Sequence, residues 1–337
     1  MSCSRFVLAA AVLCLHASGL RAQPARETPS FERAFAHAAQ LPRLQALVIA
    51  RHGRIVAERR WRGPSLDAPV NVKSISKSIL SALVGIAIGQ GKLRGVDQPI
   101  APFFGKYLHG ATDPRLNEIT IGQLLSMQSG LVRTSGPAYA AWVGSKNWIQ
   151  YILSAPLMAD PGGPMVYSTG NSHLLSAILT QATGKSTYAF ARDALAKLLG
   201  IALRPWQRDP QGIFFGGNQM RLSAHALVRF GELYRNHGRY EGVQVVPEAW
   251  VRESLQPRAT SIFSGQDYGY GWFVGRIGSH PLFYAWGYGG QFVFVVPDLE
   301  LTVVTTSAPN GPRDFEHLGG IYDILSEDII PVLDTPS

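Results

Sequence analysis

Two residues one helical turn apart, Ser74 and Lys77, combine a nucleophile with a candidate base. Residues three apart share a helix face, so the lysine amine can reach the serine hydroxyl. A solvated lysine is charged at neutral pH and cannot take a proton from serine; a neutral amine can. The flanking sequence favours the neutral form. From Ile75 onward apolar residues cover nearly the whole helical circumference (Ile75, Ile79, Leu80, Leu83, Val84, Ile86, Ala87, Ile88), which predicts a helix buried on most sides. A lysine in its first turn meets both desolvation and the positive helix terminus, and each lowers its pKa. Spacing alone is weak evidence, because 26 serines and 7 lysines in 337 residues give roughly half a Ser-x-x-Lys by chance. The plain alternative is a serine that only caps the helix.

The elements that must position this pair are legible on either side of it. Ala46–Ala50 and Arg54–Glu58 read as strands joined at Arg51-His52-Gly53, and residues 60–69 form a loop that delivers the chain to Ser74. Ser30 caps a short helix carrying Phe31, Ala34, Phe35 and Ala38. Thr120 to Gln123 fits a capping box, with Gly130 closing that short helix. Pro161-Gly162-Gly163-Pro164 forces a loop from which Val166-Tyr167-Ser168 emerges before a helix over 174–183, stopped by Gly184. Further helices are expected over 148–155, 188–199, 224–237 and 313–330. Strand signals return over 269–274, 281–286, 291–296 and 301–306. An early hairpin, a helical middle and a late antiparallel run imply one sheet built from both chain ends with the helical part inserted. The expected division is a leader over 1–22, a lead-in over 23–44, a sheet domain over 45–91 and 256–337, and a helical domain over 92–255.

Composition narrows the function. Arg5, the apolar run Phe6–Leu15 and a small residue at Ala22 resemble a secretory leader cut near Ala22, so a secreted or periplasmic protein is expected. Both cysteines, Cys3 and Cys14, fall inside it, leaving no thiol chemistry or cysteine-based metal site beyond it. No stretch approaches the roughly 20 apolar residues of a membrane-spanning helix. The net charge of +8 includes Arg5 and Arg21, and the remaining arginines are dispersed without aromatic interleaving, which argues against nucleic acid. The nine histidines form no metal-ligand pair, so neither metal nor cofactor is expected.

In this order the pieces resemble the serine β-lactamase and penicillin-binding protein superfamily, in its class C-like and esterase-like branch. Ser74-Ile75-Ser76-Lys77 resembles its nucleophile motif, Ile119–Leu131 its helix ending in Ser-Gly-Leu, and 161–183 the segment bearing its tyrosine. The resemblance runs from about Leu47 to Ser307. It implies an α/β (α+β) fold, an antiparallel sheet flanked by helices with an inserted helical domain, and a site in the cleft between them. It also implies that Ser74 attacks a carbonyl, Lys77 accepts its proton and Tyr167 passes that proton to the leaving group. The Ser74 N–H and a strand N–H would then form the oxyanion hole.

Two departures qualify this. Thr169 stands where the tyrosine motif usually has Asn; Asn171 could substitute only if the loop turned differently. The family's last motif, Lys or His followed by Thr or Ser and Gly, is replaced by Gly287-Tyr288-Gly289-Gly290-Gln291, as in nylon-oligomer (6-aminohexanoate-dimer) hydrolases and related esterases. Tyr288 would supply the second oxyanion N–H, with Gly289, Gly290 and Gln291 against the substrate. With no fixed cation evident beside that strand, uncharged esters or linear amides are expected to outrun carboxylate-bearing substrates. The expectation is an exported serine hydrolase acting through an acyl-enzyme on small esters or amides. The alternatives are a β-lactamase or D-alanyl-D-alanine carboxypeptidase, and, from another class, a non-catalytic ligand-binding or regulatory relative. No Gly-x-Ser-x-Gly elbow supports a serine triad of the other kind.

Overall fold

The structure, a computed structural model, describes residues 1, 30–108, 113–262 and 264–334. The expected leader therefore lies, Met1 apart, outside the described residues. Eight strands form one antiparallel sheet: β1 (Leu44–Arg51), β2 (Arg54–Arg60), β3 (Ala259–Thr260), β4 (Asp267–Tyr268), β5 (Phe273–Ile277), β6 (His280–Gly287), β7 (Gln291–Val296) and β8 (Leu301–Ser307). Their spatial order is β2-β1-β8-β7-β6-β5-β4-β3, so the first hairpin docks on the last strand of the chain. Every residue of β7 and β8 is buried, as expected of central strands covered on both faces. The edge strand β2 is mostly exposed and carries Arg54, Arg59 and Arg60, charges that discourage another edge from pairing with it.

Alternation along the strands sends side chains to two cores. Leu47, Ile49, Phe292, Phe294 and Val303 face the helices Glu32–Gln40 and Phe315–Asp323, whereas Val48, Ala50, Val293, Val295 and Val304 face the helices of the middle segment. On that second face lies the helix Ile75–Gly89, buried from Ile75 to Ala87 as its composition requires. Small residues permit the close approach: a Cβ at Gly85 would lie 2.1 Å from the Trp250 ring. The helix Thr169–Thr183 packs beside it and ends at Gly184 in the left-handed conformation (φ 66°).

Local expectations hold in most places and fail in instructive ones. The capping box at Thr120 and Gln123 is present, but its helix stops at Ser126, with Met127 left-handed (φ 64°), rather than at Gly130. Gly130 has a different task. Its backbone (φ 73°) runs so close to Ala159 that a Cβ would sit 2.1 Å from that carbonyl oxygen. The first helix begins one residue beyond Phe31 with no side-chain cap from Ser30. Among the described residues no helix is long and apolar enough to cross a membrane.

Candidate active site

Ser74 heads its helix, and its hydroxyl makes no capping bond to the helix backbone, which disposes of the capping alternative. Instead Lys77 Nζ lies 2.9 Å from Ser74 Oγ. Lys77 is buried, with its amine donating to the Gly217 carbonyl at 2.8 Å and 3.3 Å from Thr169 Oγ1. Among the described residues no carboxylate neutralises it there, and burial alone pushes its pKa from 10.5 down to about 7.

Tyr167 completes the cluster. Its ring centroid lies 5.0 Å from Lys77 Nζ, its hydroxyl shares a hydrogen bond with Ser74, and its ring forms a T-shaped pair with Tyr268 at 6.2 Å. Desolvation pushes the phenol up to about 12, against the opposing effects of Ser74 and the Arg313 charge. At neutral pH the phenol is therefore a proton carrier, and the amine is the group able to accept.

Each of these side chains is held by a tie across the fold. Val70-Asn71 pairs with Arg221-Leu222, and the Val72 N–H donates to the Met220 carbonyl at 3.0 Å, so backbone hydrogen bonds tie the approach to Ser74 to the segment that follows Gly217. Lys73 and Gln219 both adopt left-handed backbone (φ 51° and 66°), and Asn71 joins them: its carbonyl accepts from the Lys73 N–H and its amide donates to Gln219. Two strained non-glycine residues beside one site are the kind of local cost that cleft geometry often imposes. Opposite, the first N–H groups of the Thr169 helix are satisfied from another loop: Thr169 N donates to Ser135 Oγ (2.9 Å) and Gly170 N to Thr134 Oγ1 (2.7 Å). Ser135 Oγ also lies 2.9 Å from Thr169 Oγ1, extending the polar chain Ser74, Lys77, Thr169, Ser135.

The cleft above Ser74 has a volume of about 630 Å³ and is walled by Tyr139, Phe273, Trp286 and Tyr288. The end of β6 comes close to the nucleophile segment: a Cβ at Gly287 would meet the Val72 carbonyl oxygen at 2.3 Å. Tyr288 follows it on the cleft wall, its hydroxyl donating to the Gly311 carbonyl at 2.9 Å.

Four expected site residues stand elsewhere. Asn171 is buried on the core side of its helix and does not line the cleft; Thr169, two residues earlier, makes the contact with Lys77. Gln291 is buried and spends its amide on the backbone of Ser307, donating to its carbonyl at 2.7 Å and accepting from its N–H at 3.2 Å. Gly289 and Gly290 (φ 85° and 99°) make the tight β6–β7 turn, and the Gly290 carbonyl accepts from Thr305 and Ser307. The expectation of no cation near the strand also needs correction. Arg313 lines the cleft, its guanidinium carbon 5.9 Å from the Trp286 ring, together with Arg133 and Lys73. No Asp or Glu lines it among the described residues. Sequence reading missed Arg133 and Arg313, and Ser135 and Gly217, because each comes from a segment remote from Ser74; Lys73 adjoins the nucleophile, but its place on the cleft wall has no local signal.

The profile of the beta-lactamase family matches residues 31–324. The chain belongs to that family. It is a beta-lactamase-family hydrolase whose antiparallel sheet and helices are those of the β-lactamase and transpeptidase fold. Among curated relatives, the 6-aminohexanoate-dimer hydrolase of Paenarthrobacter ureafaciens is 24% identical over 93% of this chain and 87% of its own. Two solved structures share the fold. EstCE1, a hydrolase with promiscuous acyltransferase activity, superposes with a TM-score of 0.69 at 19% identity, covering 88% of this chain and 97% of its own. The octameric penicillin-binding protein homologue of Pyrococcus abyssi gives 0.68 at 17%, covering 88% and 76%.

Proposed function

We propose that this family member is an exported serine hydrolase that cleaves small esters or amides through an acyl-enzyme on Ser74. The observation that carries the reading is the 2.9 Å contact between Ser74 Oγ and a buried Lys77 amine whose pKa lies near 7. With two N–H bonds directed at Gly217 and Thr169, the neutral amine turns its lone pair to the serine hydroxyl. Ser74 attacks the carbonyl carbon, Lys77 takes its proton, and Tyr167 passes that proton to the departing oxygen or nitrogen. The Ser74 N–H and the N–H of Tyr288 stabilise the tetrahedral oxyanion. Water then releases the acid by the same route.

Fluorophosphonate labelling with mass-spectrometric mapping tests this directly. Ser74 is the expected adduct, and Ser74→Ala should lose both label and turnover of p-nitrophenyl esters. Labelling at another serine in the substituted protein sinks the assignment, and a protein that acylates without turnover is the non-catalytic relative.

One observation favours the second reading, a β-lactamase or D-alanyl-D-alanine carboxypeptidase. Arg313, Arg133 and Lys73 give the cleft a positive lining that suits a substrate carboxylate, for which a charge-assisted hydrogen bond contributes about 1.5–3 kcal/mol. Comparing kcat/KM for nitrocefin and p-nitrophenyl butyrate separates the two. Arg313→Ala should lower the first by tenfold or more and leave the second nearly unchanged if carboxylates are the substrates.

Export rests on the leader pattern of residues 1–22. N-terminal sequencing of the protein recovered from the cell envelope should begin at Gln23; an intact Met1 in the active enzyme overturns it.

A further inference from the structure

Behind the cleft lies a second pair of functional groups that the reaction does not use directly. His173 Nε2 sits 2.9 Å from Asp209 Oδ2, and both side chains are fully shielded from solvent. Trp142, Trp148 and Phe215 box the imidazole, with ring centroids 5.1 to 6.0 Å away. Asp209 Oδ1 accepts from the N–H groups of Gln211 and Ile213 at 2.9 and 2.8 Å, which fixes the carboxylate. The other imidazole nitrogen, Nδ1, accepts from the Gly216 N–H at 3.4 Å.

An imidazole that accepts at Nδ1 must carry its proton at Nε2, and Asp209 is the acceptor that holds that tautomer in place. One residue on from that N–H, the Gly217 carbonyl receives the Lys77 amine at 2.8 Å. Gly216 and Gly217 can occupy this position only without side chains: added Cβ atoms would lie 2.0 Å from the Ser172 carbonyl oxygen and 2.9 Å from Lys77 Cγ. His173 stands one turn beyond Thr169 on the same helix, so that helix steers both acceptors of the amine, one by its own hydroxyl and one through the glycine pair.

We propose that His173 and Asp209 are positioning residues that hold the Gly216-Gly217 segment so that the Gly217 carbonyl aims the Lys77 lone pair at Ser74. The proposal rests on the catalytic reading of Ser74 and Lys77. Its physical content is a tautomer and a direction. Asp209→Asn would present an amide donor toward Nε2, turn the tautomer over, and set two N–H groups against each other at Gly216. His173→Gln can still reach Asp209 but offers nothing at the Nδ1 position, whereas His173→Asn keeps an acceptor there.

Three measurements decide it. In ¹⁵N-histidine NMR of the unaltered enzyme, His173 should be the Nε2–H tautomer with an accepting Nδ1; an Nδ1–H tautomer overturns the proposal without any variant. In ester hydrolysis, Asp209→Asn and His173→Gln should lower kcat by about 10–100-fold with KM unchanged, in keeping with a misaimed catalytic group. The acid limb of their pH profile, set by Lys77 with Tyr167 the titratable group facing it, should move to lower pH as the amine loses an acceptor. His173→Asn should stay within a few-fold of the parent kcat even where its melting temperature falls as far as that of His173→Gln. If kcat instead follows melting temperature across all three, with one common pH profile, the pair is only a core contact. Ser74 labelling of the unaltered enzyme separates the failures: normal labelling with unaffected variants sinks this inference alone, and absent labelling sinks the catalytic reading beneath it.

Discussion

At the scale of single residues, two protonation equilibria divide the labour. An ordinary lysine is neutral in about one molecule in 3,000 at pH 7, whereas one with a pKa near 7 is neutral in about half. The Tyr167 phenol, near 12, keeps its proton throughout. Activity should therefore rise with pH through about 7 and level off, a limb that steady-state kinetics from pH 5 to 9 will expose and that Lys77→Ala should abolish along with a thousandfold or more of the rate. The same burial weakens the fold. Between pH 7 and 10.5 the unfolded chain binds a proton at Lys77 that the folded chain has lost, so stability rises with pH across that window and the full cost is present below it. The gap corresponds to as much as about 5 kcal/mol. Lys77→Met should thus be more stable than the parent at pH 7, by an amount that shrinks toward pH 10. Urea denaturation at both pH values checks this, and an equal difference at both would contradict the depressed pKa.

At the scale of elements, what the chain reveals locally and what it conceals have different physical origins. The Ser74 helix is legible because its burial is written in its own residues, and the early and late strands because β-branched and aromatic residues cluster between turn residues. Asn171 misleads because nearness in sequence is not nearness on a helix. Two residues on is about 200° around the axis, which turns Asn171 from the cleft into the core. Gln291 misleads in the same way at the start of a strand, where its side chain mimics a further rung of the ladder to Ser307. The helix expected over 313–330 gives way to a wider π-helical turn over Ile324–Ile329, which a 3.6-residue period does not signal. Arg313 and Ser135 carry no local signal at all, since each gains meaning only from a contact with a distant segment. Gly287 illustrates an element acting on chemistry. Its missing side chain lets β6 lie against Val72, two residues before the nucleophile. Gly287→Ala should push the strand end away and lower kcat/KM at least tenfold, with a much smaller fractional change in KM; parent-like kinetics would show that this contact does not set the site.

At the scale of the whole molecule, the first and last described helices share one layer, on the face of the sheet opposite the Ser74 helix. Asp328, buried, accepts from Arg33 Nε at 2.7 Å and contacts His37 Nδ1 at 2.8 Å, tying the last helical segment to the first helix. Its partners are more solvent-accessible than it is, so losing the carboxylate strands no deeply buried charge. Asp328→Ala should cost about 1–3 kcal/mol, lower the melting temperature by several degrees and leave kcat unchanged. Calorimetry alongside ester kinetics tests both halves; a large loss of kcat would mean that this ion pair helps to set the cleft as well as to hold the helices. The strand order carries a consequence for how the chain reaches this state. β1 finds its inner neighbour in β8, so that Leu44 faces Ser307 across the entire intervening sequence. Until that last strand is available, the opening hairpin has one edge without a partner and no sheet to join. Such long-range closure makes folding slow and places its completion after synthesis of nearly all the chain. A ribosome-bound fragment ending before residue 301 would hold Ser74 and Lys77 in sequence but not yet in a cleft, and hydrolytic competence would appear only with the final strand.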